Sequence, residues 1–62
     1  MRLKEALDNA IEYLTSRDVG SPRMNAEMLL MFTIGCDRAY FFAHPERELT
    51  DDEASRYTDV VN

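Results

Sequence analysis

The chain has 62 residues and only one cysteine and one histidine, Cys36 and His44, so it forms at most one small domain that neither a disulfide nor a zinc site can reinforce. Its net charge is −5 and its 7 basic residues are scattered singly, which argues against direct binding to DNA or RNA. With no apolar run of membrane-spanning length, no signal-peptide core and an unpaired cysteine, the sequence predicts a cytoplasmic protein.

The first predicted helix is amphipathic, because its apolar residues recur at three- and four-residue steps. These residues are Leu3, Ala6, Leu7, Ala10, Ile11 and Leu14. The stretch Asp18-Val19-Gly20 is expected to end the helix. Arg2, Lys4 and the amino terminus place positive charge at the positive end of the helix dipole, so the first turn is expected to fray.

The second predicted helix is the most apolar stretch of the chain. Ser21 is a candidate N-cap, Pro22 suits the first helical position, and Gly35 supplies a left-handed stop. The apolar side chains, three methionines among them, point nearly all the way round the helix. The only ionisable residues are Arg23 and Glu27, spaced for a helix pair worth about 0.2–0.5 kcal/mol. We therefore expect a central, buried helix in which the methionines fill the core.

A third, short helix is predicted over residues 38–43, with Asp37 as its N-cap. His44-Pro45 ends it, because a residue before proline is driven to extended geometry. Residues 46–48 are then expected to form a solvated loop.

A fourth helix begins with a capping box, in which the Thr50 hydroxyl and the Glu53 carboxylate each accept a backbone N–H of the other residue. Its apolar stripe contains Ala54, Tyr57, Val60 and Val61. The predicted fold class is therefore all-α, a small bundle of four to five short helices.

The sequence offers no recognisable catalytic, cofactor-binding or metal-binding residues. Its two glycines are helix stops and form no phosphate-binding loop. The acidic residues 51–53 are explained by helix capping better than by a bound cation. His44 lacks a partner for catalysis or metal binding, so a loop histidine is the favoured interpretation. Cys36 is interpreted as a small packing residue and not as a reactive thiol.

Partner binding is the remaining possibility, and the third helix suggests it. Tyr40, Phe41 and Phe42 cannot share one helical face, so we predict that at least one stays substantially exposed. The edge of the second helix near Leu30 and Ile34 is a further surface that another chain or domain could cover. The candidate partner contacts are Arg23, Glu27, Tyr40, Phe41, Phe42 and His44.

An ordered set of short motifs runs along almost the whole chain. It consists of S-P-R at 21–23, N-A-E-M-L-L at 25–30, Gly35, D-R followed by alanine at 37–43, and H-P-E followed by L-T at 44–50. This order and spacing resemble the N-terminal domain of the PrmC/HemK family. Members of that family are S-adenosylmethionine-dependent methyltransferases that modify the glutamine of the GGQ motif in bacterial peptide-chain release factors. Asn25 departs from the family pattern, since relatives commonly have aspartate there.

The resemblance implies a division of labour between two domains. The helical N-terminal domain helps to hold the release factor. A Rossmann-like catalytic domain downstream, outside these 62 residues, carries the glycine-rich loop for S-adenosylmethionine and an Asn-Pro-Pro-Tyr motif for the glutamine. The implied partners are thus a release factor and the protein's own catalytic domain. The alternative is a free-standing helical interaction module without enzymatic activity.

Overall fold

Four helices make up the fold in the computed structural model, which describes residues 1–62. They are α1 (Leu3–Ser16), α2 (Pro22–Ile34), α3 (Arg38–Ala43) and α4 (Asp51–Val61). The all-α prediction is confirmed, with the smaller of the two expected helix numbers. None of the four helices has the length and apolar character that crossing a membrane requires.

The core lies where α1, α2 and α4 meet, with α2 packed against both of the other helices. Helix α1 contributes the most buried residues, and α2 contributes two apolar ones that are fully buried, Ala26 and Leu30. The core is completed by Phe41 of α3, by Leu49, which precedes α4, and by Tyr57 of α4. The α1 core residues are Leu3, Ala6, Leu7, Ala10 and Leu14. The helix with the clearest amphipathic stripe in the sequence is therefore the one that is most deeply buried.

Helix α2 is not buried on all sides, contrary to the prediction. Met24, Met28 and Phe32 are 55%, 55% and 79% exposed. Their four-residue spacing places them on one side of the helix, directed away from α1 and α4. Met31 is half-buried against the core. The prediction that the methionines fill the core is thus wrong for Met24 and Met28.

The two ends of α2 are formed differently from each other. Gly35 adopts the predicted left-handed conformation, with φ at 69°. Ser21 occupies the predicted N-cap position, but it is also left-handed and its hydroxyl accepts no backbone N–H, so the predicted capping hydrogen bond is absent. The side-chain amide of Asn25 instead donates to the carbonyls of Gly20 at 2.7 Å and Ser21 at 3.2 Å. An aspartate side chain has no N–H to donate, so asparagine at this position supports the turn.

The start of α1 is held in place, contrary to the predicted fraying. The backbone N–H groups of Leu3 and Lys4 donate to carbonyls of the segment 45–47. The amino group of Met1 forms an ion pair with Glu48 at 2.9 Å. These contacts supply partners for N–H groups that a helix leaves free in its first turn. The loop at residues 46–48 thus pairs through its backbone with the start of α1, while the side chains of Glu46 and Glu48 remain exposed as expected.

Tyr57 joins α4 to α2 through a buried hydrogen bond. Its side chain is 3% exposed, and its hydroxyl donates to the carbonyl of Ala26 at 2.8 Å. Burial, and to a smaller extent the negative charge of Glu27, raises the pKa of the Tyr57 hydroxyl far above its usual value. The neutral hydroxyl is thus the form that the fold requires.

Replacing Tyr57 with phenylalanine is expected to lower the free energy of unfolding by about 1 kcal/mol at pH 7. Because the pKa is higher in the folded chain, the tyrosine stabilises the fold below its unfolded pKa of about 10, and this contribution is lost as the pH rises further. Urea unfolding at neutral and strongly alkaline pH measures both effects. Tyr13→Phe, at a half-buried ring on α1, is the control; equal losses from the two variants would contradict the prediction.

Candidate interaction surface

Met24, Met28 and Phe32 form an uncharged apolar surface, which we term the α2 face. Arg23 and Glu27, the only charged residues of α2, lie roughly 100° or more round the helix from the centre of this face. Contiguous exposed apolar patches on small proteins commonly mark interaction sites. Methionine adapts its shape to a partner, and an aromatic ring supplies a rigid anchor. The α2 face therefore has the composition of a protein-binding surface.

The three consecutive aromatic residues of α3 lie in three different environments. Phe41 is 3% exposed and packs in the core, Tyr40 is half-buried, and Phe42 is 68% exposed. The prediction that at least one of them remains exposed is confirmed. Phe42 is the ring that α3 presents to solvent, and a second apolar contact point outside the α2 face.

Glu27 is a buried carboxylate flanked by two arginines. Its side chain is 7% exposed; Oε1 lies 3.0 Å from Nε of Arg38, and Oε2 lies 3.8 Å from Nη1 of Arg23. The predicted pair with Arg23 is present, but the shorter contact is the ion pair with Arg38, which ties the start of α3 to α2. Leu30 is fully buried inside the domain. The expectation that an outside partner covers this edge is therefore wrong for Leu30.

Arg47 organises a second cluster, between α3 and α4. Its Nη2 donates to Oε2 of Glu53 at 3.0 Å, and its guanidinium lies 5.9 Å from the ring centroid of Tyr40. The Tyr40 ring in turn lies 4.6 Å from that of the exposed His44. Glu53 also accepts the N–H of Thr50 at 3.0 Å, which confirms the predicted capping box. The cluster brings two of the candidate contacts, Tyr40 and His44, together.

Replacing Glu53 with glutamine is expected to lower the free energy of unfolding by about 1–2 kcal/mol at pH 7. The hydrogen bond from Arg47, followed by that from Thr50, lowers the pKa of Glu53. Such a carboxylate stabilises the fold above its unfolded pKa of about 4.3, and this stabilisation is lost as the pH falls. The difference from the wild type should therefore shrink between pH 7 and pH 3.5.

Urea unfolding at the two pH values measures this difference. The exposed Glu12 of α1 provides the matched control, since Glu12→Gln should change little at either pH. A loss from Glu53→Gln that is the same at pH 3.5 as at pH 7 would contradict an ionised Glu53 as the cause.

Sequence reasoning missed three side chains that matter to these surfaces. Arg38 and Arg47 hold buried or half-buried carboxylates, and Phe32 is the most exposed apolar residue of the α2 face. The four-residue repeat of Met24, Met28 and Phe32 was a visible signal, but the same repeat also fits a core face. Together these surfaces offer thioethers, aromatic rings and paired charges, which are groups that can contact a protein partner.

Comparison with known proteins finds one family and one relative. A family model described as the PrmC N-terminal domain matches residues 5–62. A release factor glutamine methyltransferase of Koribacter versatilis (strain Ellin345) is 54% identical over 61 residues, which cover 98% of this chain and 22% of the relative. The chain thus spans about a fifth of the length of that relative. No solved structure shows a significant match.

Proposed function

Since the chain belongs to the PrmC N-terminal domain family, we propose that it is the release-factor-binding domain of a methyltransferase. In the full-length protein, a Rossmann-like catalytic domain downstream of residue 62 binds S-adenosylmethionine. That domain transfers the methyl group to the glutamine of the GGQ motif in a peptide-chain release factor. The helical domain takes no part in the chemical step and holds the protein substrate, in the cytoplasm.

The α2 face is the observation that carries this proposal. It presents two methionines and a phenylalanine on a helix whose opposite side is fixed in the core through Ala26 and Leu30. A rigid surface of this kind binds a large substrate and keeps its reacting glutamine near the catalytic domain, which is a contribution to binding and not to the chemical step. The relative is a release factor glutamine methyltransferase, which supports the release factor as the substrate.

Methyl transfer by the full-length protein is the direct test. Incubation with a bacterial release factor and labelled S-adenosylmethionine should place one methyl group on the GGQ glutamine, located by mass spectrometry. A release factor with alanine in place of that glutamine is the control. Failure to methylate the intact release factor would overturn the proposal.

The 62-residue chain by itself should neither transfer a methyl group nor bind the cofactor. Calorimetric titration with S-adenosylmethionine should therefore give no binding heat. A clear isotherm would contradict the proposed division of labour. The gene sequence beyond residue 62 separates this function from the free-standing interaction module. A glycine-rich cofactor loop and an Asn-Pro-Pro-Tyr motif encoded there would support the methyltransferase.

A further inference from the structure

A groove between α1 and α4 forms a second apolar surface, separate from the α2 face. We propose that in the full-length protein this groove is filled by the stretch of polypeptide that directly follows residue 62. The proposal rests on the proposed function in one respect only, that the polypeptide continues beyond this residue.

The groove has a volume of about 210 Å³ and is lined mainly by apolar residues. No charged side chain lines it, although 31% of the residues in the chain are charged. Small-molecule sites typically measure roughly 300–1,000 Å³. The small volume of the groove and its lack of charged side chains therefore suit a few apolar side chains of a peptide segment better than a cofactor or substrate molecule.

Small side chains create the groove. Ala6 and Ala10 lie one turn apart on α1, and Ala54 lines the wall on α4. None of these methyl groups fills the space between the two helices, whereas α2 packs closely against both. The rim carries Asn9 and Thr58, whose side chains can hydrogen-bond to the backbone of a segment lying between them.

The position of residue 62 identifies the occupant. Val61 and Asn62 both line the groove, so a polypeptide that continues from Asn62 starts inside it. Such a segment closes only a very short loop when it binds, and the entropic cost of loop closure rises with loop length. A segment joined by a short flexible linker also acts at an effective concentration in the millimolar range. The 61 aligned residues make up only 22% of the relative, so a protein of that length has ample polypeptide to supply this segment.

The groove and the α2 face lie on opposite sides of the domain. Tyr57 lines the groove, and its hydroxyl reaches the carbonyl of Ala26 on α2. Helix α2 therefore lies behind the floor of the groove, with Met28 and Phe32 directed further outward. A segment in the groove thus leaves the α2 face free, so the same domain can contact its own polypeptide and a protein substrate at once.

Thiol labelling of the full-length protein tests the occupant. Asn9→Cys and Thr58→Cys place a thiol at the groove rim, at positions that are exposed in residues 1–62. Asp8→Cys and Ser55→Cys are matched controls, because they lie on the same two helices, are exposed and do not line the groove. Modification by iodoacetamide is followed at each site by mass spectrometry. The two groove thiols should react at least about tenfold more slowly than the two controls at every protein concentration.

The possible outcomes separate the candidate occupants. Equal rates at groove and control sites would overturn the proposal. Protection that appears only on adding the release factor would assign the groove to the substrate, and protection that requires a high protein concentration would assign it to a second copy; either result overturns it. Methyl transfer is measured on the same preparations. A protected groove without methyl transfer refutes the proposed function alone, and methyl transfer with an unprotected groove refutes this inference alone.

Discussion

Replacing Met28 and Phe32 together with glutamine in the full-length protein is expected to raise KM for the release factor by about 10- to 100-fold. This corresponds to about 1.4–2.7 kcal/mol, a range typical of one or two apolar anchors in a protein interface. The proposed function places the protein substrate, and not the cofactor, against the α2 face, so kcat at saturating release factor and KM for S-adenosylmethionine should stay unchanged. Steady-state methylation with each substrate varied in turn measures these constants.

The same double variant should keep its folding stability. Met28 and Phe32 are 55% and 79% exposed, and glutamine has a good helix propensity, so the free energy of unfolding should change by less than about 0.5 kcal/mol. Val60→Gln, at a partly exposed apolar position on α4, is the matched control and should leave KM unaltered. A KM within twofold of the wild type in the double variant would show that the release factor does not bind the α2 face.

Local features of the fold were predictable from sequence because they depend on residues a few positions apart. Thr50 and Glu53 form their capping box, the Asp37 side chain accepts the N–H of Tyr40, and Gly35 ends α2 in a left-handed conformation. Each of these features satisfies backbone groups that a helix leaves unpaired at its ends. At these three helix ends the partners are a few residues apart, so the pattern alone indicates them, whereas the start of α1 depends on the distant segment 45–48 and was not predicted.

The exposure of α2 was not predictable in the same way. The apolar character of a side chain such as Phe32 indicates that its burial would be favourable. It does not indicate whether another helix is present to cover it. In this domain α2 has neighbours on the sides of α1 and α4, and the side carrying Met24 and Met28 has none. The apolar repeat therefore combines two different surfaces, one that forms the core and one that remains available to a partner.

Contacts between distant charged residues were also beyond the sequence pattern. Arg38 lies eleven positions after Glu27, and the two meet only because the chain turns at Gly35 and begins α3 beside α2. Helical spacing indicated Arg23 as the partner of Glu27, since both lie on one helix. The longer contact with Arg23, at 3.8 Å, shows that spacing identified a real pair but not the dominant one.

Replacing Arg38 with methionine is expected to lower the free energy of unfolding by about 2 kcal/mol. The substitution keeps an unbranched apolar side chain but leaves the buried Glu27 carboxylate without its nearest cationic partner. Removing one member of a fully buried ion pair costs roughly 3–5 kcal/mol, and the half-exposed side chain of Arg38 reduces that figure. A domain of this size has a small total stability, so the loss should be evident in urea unfolding at neutral pH.

Two further variants show whether the unpaired charge is the cause. Arg23→Met should cost less than about 0.5 kcal/mol, because its contact is longer and its side chain is 66% exposed. Adding Glu27→Leu to Arg38→Met removes the carboxylate as well, and should recover much of the lost stability, since an apolar replacement of a whole buried ion pair is often neutral. Equal losses of unfolding free energy from Arg23→Met and Arg38→Met would contradict the conclusion that Arg38 is the main partner of Glu27. A double variant less stable than Arg38→Met would mean that Glu27 stabilises the domain through other contacts, such as its remaining pair with Arg23.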